Sequence, residues 1–182
     1  YKEFGQKCGI PIKTANYSTE DGTFNSDNEY LTIINTARVK RLDLLEYYDS
    51  RKNILDIERN TLFLLAEELE RFKKEKGLKD FTDLLEDFIA KSLPGSLEVL
   101  FIDEAQDLSL IQWEMVRHLW KYAKKTYIAG DDDQAIFKWA GADVDHFIAL
   151  KEEVNDIKVL DQSYRIPGGP IHELSQKIIN KV

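Results

Sequence analysis

Apolar positions change texture twice along the chain. Up to about residue 60 they are scattered among polar ones, and the stretch from Ser18 to Thr23, continuing to Asn28, is turn chemistry. Between Leu31 and Tyr48 short helical patterns are faint. From Thr61 the spacing becomes helical: Leu62, Leu65, Ala66, Leu69 and Phe72 share a face, and Gly77 after Lys76 supplies a stop. Asp80 can cap a second helix, with Phe81, Leu84, Leu85, Phe88 and Ile89 on its apolar side and Pro94-Gly95 ending it.

From Leu97 short apolar runs alternate with helical patterns. Leu97 to Ile102 reads as a buried parallel strand that ends in acid. Ser109 with Gln112 forms a capping-box pattern, opening a helix with Trp113, Val116, Trp120 and Ala123 on one face. Thr126 to Gly130 reads as a second strand, ending at Asp131. Asp143 can cap a helix through Val144, Phe147 and Ile148. Ile157 to Leu160 reads as a third strand, and Pro170 starts a helix carrying Ile171, Leu174, Ile178 and Ile179. The alternation predicts an α/β fold: a parallel sheet with flanking helices, preceded by a mostly helical insertion.

Composition narrows the class. The chain has 182 residues, 43% of them apolar, enough for one domain with an insertion. Its single cysteine, Cys8, rules out an internal disulfide and fits a reducing, cytoplasmic setting. No apolar run approaches the ~20 residues of a membrane span, so no membrane partner is expected. The chain opens at Tyr1, in a stretch that reads as mid-helix, as a piece of a longer protein would. Lys and Arg number 25 against 33 Asp and Glu, a formal charge of −8 that does not itself recommend nucleic acid. Arg71 to Lys79 and Arg117 to Lys125 are locally basic; they read as solvated helix faces or as tracks for a phosphate backbone. His118, His146 and His172 show no metal-ligand spacing with one another or with Cys8 and read as structural or exposed.

In a parallel sheet, functional groups gather at the carboxyl ends of the strands. The first strand ends in Asp103-Glu104-Ala105-Gln106-Asp107. Asp103 is placed to hold Mg²⁺, a hard ion satisfied by one or two carboxylates plus water and phosphate oxygens. Glu104 can orient or deprotonate a water attacking a phosphate. The plain alternative is that these acids favour the N-terminus of the next helix. The second strand ends in Gly130-Asp131-Asp132-Asp133-Gln134, followed by Phe137 and Trp139 flanking Lys138. Rings interleaved with a cation suit stacking on unpaired bases, at about 1–3 kcal/mol per base, though they suit a core equally. The third run ends in Asp161-Gln162-Ser163-Tyr164-Arg165, where an arginine could reach a terminal phosphate or form a surface ion pair.

Taken in order, the three strings resemble the UvrD/Rep-type DNA helicases of superfamily one. Phe101 to Asp107 is similar to motif II, the Walker B element; Gly130 to Gln134 with Ile136 to Ala142 is similar to motif III; Leu160 to Arg165 is similar to motif IV. Asp80 to Leu85 fits the helix that precedes motif II there. The resemblance implies a partial RecA-like ATPase domain 1A over 80–182 and a helical subdomain 1B-like region over 1–79. It implies ATP and Mg²⁺ as cofactors, with Asp103 on the metal and Glu104 activating water. Gln134 would sense the γ-phosphate, Tyr164 would stack on adenine and Arg165 would contact the γ-phosphate. Phe137 and Trp139 would grip single-stranded DNA. Ser163 stands where the family usually has Asn.

No Gly-x-x-x-x-Gly-Lys-Ser/Thr string occurs in the 182 residues, and the family's motifs beyond motif IV are missing too. The chain therefore reads as an internal piece of an ATP-dependent DNA helicase of repair or replication. Such a motor couples hydrolysis to movement on single-stranded DNA and unwinding at duplex junctions, with 3′ to 5′ polarity implied by the family. The piece depends on missing parts of its own parent. Two other readings stay open: a catalytically inactive helicase-like subunit of a repair or nuclease complex, and a metal-dependent phosphohydrolase or nuclease using Asp103, Asp131 and Asp161.

Overall fold

The computed structural model describes residues 1–17, 24–54, 56–135, 141–160, 162 and 168–179. It is a mixed α/β structure. Helix α1 (Lys2–Cys8), a hairpin of β1 (Ala15–Tyr17) and β2 (Phe24–Ser26), and helices α2 (Glu29–Val39), α3 (Leu44–Arg51), α4 (Arg59–Lys76) and α5 (Phe81–Lys91) come first. Strand β3 (Leu97–Ile102), α6 (Leu110–Trp120), β4 (Ala123–Ile128), α7 (Val144–Ala149) and α8 (Pro170–Ile179) follow. β3 and β4 pair in parallel, with Ile102 opposite Ile128. Among the described residues no helix is long and apolar enough to cross a membrane.

The expected caps form. Gly77 ends α4 in the left-handed region, at φ 63°, where a side chain would be strained. Asp80 and Asp83 accept each other's backbone N–H at 2.9 and 2.8 Å at the start of α5. Gln112 Oε1 accepts from the Ser109 N–H at 2.8 Å, and Asp143 accepts from the His146 N–H at 2.9 Å.

Two apolar clusters hold these elements. Phe4, Leu31, Ile34, Leu62, Leu65, Leu69 and Phe72 join α1, α2 and α4. Ala105, Trp113, Val116 and Leu150 gather under the strands, with Ile102 and Ile128 against them. α6 thus covers one face of the two-stranded sheet. On the other, Phe101 and Tyr127 stack on each other in solvent, with ring centroids 5.1 Å apart.

A charged hub fixes how α5 sits. Arg38 of α2 donates to Asp80 at 2.8 Å, to Asp83 at 2.5 Å and to Glu86 at 3.1 Å. Lys73 of α4 reaches the same Asp80 and Asp83 at 3.2 and 2.8 Å, and the Tyr1 hydroxyl donates to Asp80 at 3.0 Å. Arg41 continues the bridge from α2 to Glu114 of α6 at 2.7 Å.

Several expectations are corrected. Ile157 to Leu160 forms no strand; Val159 and Leu160 are 85% and 92% exposed, because no described strand offers that run a ladder or a cover. β3 and β4 are not buried on both faces, since α6 packs on one only. α5 buries Thr82 and Leu85 and turns Phe81 and Leu84 outward, because the hub draws the Asp80–Asp83 side inward. Ala123 opens β4 rather than extending the α6 face. The turn-like 18–23 stretch lies outside the described residues.

Burial pushes the Asp80 carboxyl up, but Arg38, the Asp83 N–H and Lys73 outweigh it and hold Asp80 below its ordinary value. A carboxylate depressed on folding stabilises the fold above its unfolded pKa, about 4, and loses that contribution as pH falls through the folded value. Arg38→Ala should therefore cost about 3 kcal/mol at pH 7 in urea titrations. The deficit should shrink as pH falls below the ordinary carboxylate range; a deficit that stays equal down to the acid end of the titration would contradict this account of the hub.

Candidate functional site

The carboxyl ends of β3 and β4 lie side by side because the strands are parallel and in register. The pairing runs one step past each strand. The Ala129 N–H donates to the Ile102 carbonyl at 2.8 Å, and the Ala105 N–H donates to the Ala129 carbonyl at 2.9 Å. Ala129 thus pairs on both sides of Asp103-Glu104, and those two residues arch out of the ladder. Glu104 makes the turn in the left-handed region, at φ 50° and ψ 42°. A side chain there costs on the order of 1–2 kcal/mol, so the surroundings must hold it.

Gln106 supplies that hold. Its side chain is fully buried in the short helical turn Ala105–Asp107. Its Nε2 donates to Glu104 Oε2 at 2.8 Å and more loosely to Asp107 Oδ2 at 3.4 Å. Its Oε1 accepts from the Asp131 N–H, beyond β4, at 2.9 Å. Asp131 in turn caps the turn Asp132–Gln134: Oδ1 accepts from the Asp133 N–H at 3.1 Å and Oδ2 from Gln134 Nε2 at 2.5 Å. One line of hydrogen bonds thus runs Glu104–Gln106–Asp131–Gln134 across the two strand tips.

Gly130 leaves room for this line. A Cβ there would lie 2.7 Å from Gln106 Oε1 and 2.8 Å from Phe147 Cζ of α7. α7 and the buried Trp113 back the two turns from below.

Asp103, Glu104 and Gln134 are solvent-facing on this rim. Asp103 Oδ1 accepts from the Glu104 N–H at 3.0 Å. An exposed carboxylate beside a second one is a hard-oxygen donor set that fits a hydrated Mg²⁺ completed by phosphate oxygens. Among the described residues no three His, Cys, Asp or Glu side chains converge as a protein-built metal cage. Asp131, offered as a ligand by the nuclease reading, has both carboxylate oxygens engaged in its own turn. Phe137, Trp139, Tyr164, Arg165 and Asp161 lie outside the described residues. Away from this rim, a depression of about 420 Å³ is lined by Lys7, Cys8, Thr61, Leu64, Leu65 and Glu68 of α1 and α4, with no link to the strand tips.

Gln106 is the residue that sequence reasoning passed over. The signal was there: between Glu104 and Asp107 it is the only side chain able to donate a hydrogen bond to its acidic neighbours.

The fold and this rim define an α/β protein with exposed carboxylates at adjacent parallel strand ends. A family profile described as "UvrD/REP helicase N-terminal domain" matches residues 7–155, and the chain belongs to that family. Among curated relatives, the ATP-dependent DNA helicase Rep of Escherichia coli is 31% identical over 106 residues, 52% of this chain and 16% of its own length. The ATP-dependent DNA helicase PcrA of Staphylococcus epidermidis is 27% identical over 128 residues, 64% of this chain and 18% of its own. The RecBCD enzyme subunit RecB of Buchnera aphidicola is 35% identical over 104 residues, 56% of this chain and 8% of its own. The chain thus spans less than a fifth of each of these relatives. No solved structure matches it.

Gly130→Ala should push Gln106 or Phe147 from its place. Overpacking of this kind costs about 1–3 kcal/mol, which in a chain this size lowers Tm by roughly 3 °C or more. A melting curve unchanged within about 1 °C would show that the tips are not packed this closely.

Proposed function

We propose that this chain is part of the motor of an ATP-dependent DNA helicase, carrying one side of its ATP site. Residues 80–182 would form part of a RecA-like domain 1A and residues 1–79 a helical region like subdomain 1B. The observation that carries the reading is the hydrogen-bonded line from Glu104 to Gln134, which ties a water-activating acid to a candidate phosphate sensor across two strand tips. Family membership and the names of the relatives support it.

In this mechanism Asp103 would hold Mg²⁺, which when bound would supply positive charge for the phosphate oxygens and the leaving group. Glu104 Oε1 faces the attacking water and takes its proton, while Oε2 stays on Gln106. Gln134 reads the γ-phosphate from the neighbouring tip. Arg165 adds positive charge to the same phosphate, and Tyr164 stacks on the adenine. Phe137 and Trp139 lie within five residues of Gln134 in the chain, so a shift of the sensor turn would be passed to rings that hold single-stranded DNA. The phosphate-cradling loop, the remaining motor and the 3′ to 5′ direction belong to the longer protein, as does a cytoplasmic role in DNA repair or replication.

Glu104→Gln in the full-length native protein should lower ATP turnover stimulated by single-stranded DNA by about 10²–10⁴-fold while nucleotide binding is kept. Turnover equal to wild type would contradict the role of Glu104. Residues 1–182 alone should show no Mg²⁺-dependent ATP turnover, because they contain no phosphate-binding loop of the Gly-Lys-Ser/Thr type. Turnover by the purified segment would contradict that dependence.

A further inference from the structure

We infer that Gln106 is a positioning residue that orients Glu104 for attack and couples it to the Gln134 turn; the inference rests on the motor reading above. Three observations converge. Gln106 is 1% exposed, so its amide cannot exchange its partners for water. Its two ends serve different strand tips: Nε2 holds the Glu104 carboxylate at 2.8 Å, and Oε1 holds the Asp131 N–H at 2.9 Å. Glu104 sits at φ 50°, a backbone conformation that a non-glycine residue keeps only when neighbours enforce it.

The geometry makes the link directional. A carboxylate has two oxygens, and tying Oε2 to Gln106 leaves Oε1 to meet a water. Asp131 uses its N–H toward Gln106 and its carboxylate toward Gln134 and the Asp133 N–H, so displacement of Gln134 pulls on the same residue that anchors Gln106. A Cβ at Gly130 would lie 2.7 Å from Gln106 Oε1, so its bare Cα leaves room for the 2.9 Å bond at Asp131. A glutamine is suited to this bridge because one planar group offers a donor and an acceptor at once.

The two ends can be separated by substitution in the full-length native protein. Gln106→Glu keeps an acceptor for the Asp131 N–H and, at a pH high enough to ionise it, removes the donor to Glu104; Gln106→Met removes both. Each should lower kcat for DNA-stimulated ATP turnover by about 10–100-fold, as loss of a residue that orients a catalytic ligand does, with KM for ATP within about twofold of wild type. The Gln106→Met/Gln134→Ala double variant should lose little more than the worse single variant, because both act through one line. Melting curves and nucleotide binding establish that each variant is folded. Turnover that depends on Glu104 yet survives Gln106→Glu within about twofold overturns the inference alone. So does a double variant whose loss is the product of the two single losses. A wild-type protein with no DNA-stimulated turnover, or one indifferent to Glu104→Gln, overturns the motor reading and this inference together.

Discussion

Everything at the strand-end rim depends on two parallel strands that end level and on one buried amide that closes the gap between them. Parallel register alone sets Ile102 beside Ile128 and brings the two acidic turns within reach of each other. It does not fix where their side chains point. Ala129, bonded to both Ile102 and Ala105, makes Asp103-Glu104 bulge outward, and Gln106 then captures the Glu104 carboxylate from below. Like charges crowded at a strand end would otherwise spread apart in water. The amide donor among them gives the cluster a single arrangement.

The helical region is joined to this part by charge more than by apolar contact. The main apolar cluster lies in α1, α2 and α4, and the second lies beneath β3 and β4. Between them stand Arg38, Lys73, Asp80, Asp83, Glu86, Arg41 and Glu114. Such a hub is strongly orienting: Asp80, Asp83 and Glu86 are each shared by two cations, and the partly buried setting weakens the competition from water. Burial raises the Tyr1 and Tyr17 hydroxyls well above their ordinary pKa, which keeps them neutral as donors within the same hub. Groups raised on folding contribute below their unfolded pKa, about 10, so the hub weakens in alkali as well as in acid.

Much of this was legible in the residues. The helices with clear periodicity and paired signals at their ends, α4, α5 and α6, stand where the spacing put them, and Gly77, Asp80, Ser109 and Asp143 mark boundaries as their chemistry requires. β3 and β4 were visible as apolar runs stopped by acid. What the pattern could not give was tertiary in origin. The hairpin of β1 and β2 has only three residues per strand, too short for a period to show; Tyr17 and Phe24 hold it by ring contact with centroids 5.1 Å apart. The rotation of α5 is decided by Arg38, distant in sequence, and by Lys73 reaching back across the α4–α5 turn. The run 157–160 has the composition of a strand, but a strand exists only with a partner. At the rim, strand-end logic singled out Asp103 and Glu104 and the family resemblance singled out Gln134, whereas Gln106 became visible only once both of its partners were placed.

The most direct test of the central claim is amide hydrogen exchange at Asp131, followed by NMR in the native chain. Its N–H points at the buried Gln106 Oε1, although the residue itself is exposed. The account predicts exchange slowed well below that of the neighbouring Asp132 amide, with the protection lost in Gln106→Met. Equal, fast exchange at Asp131 and Asp132 in the unaltered chain would mean that the two strand tips are not joined.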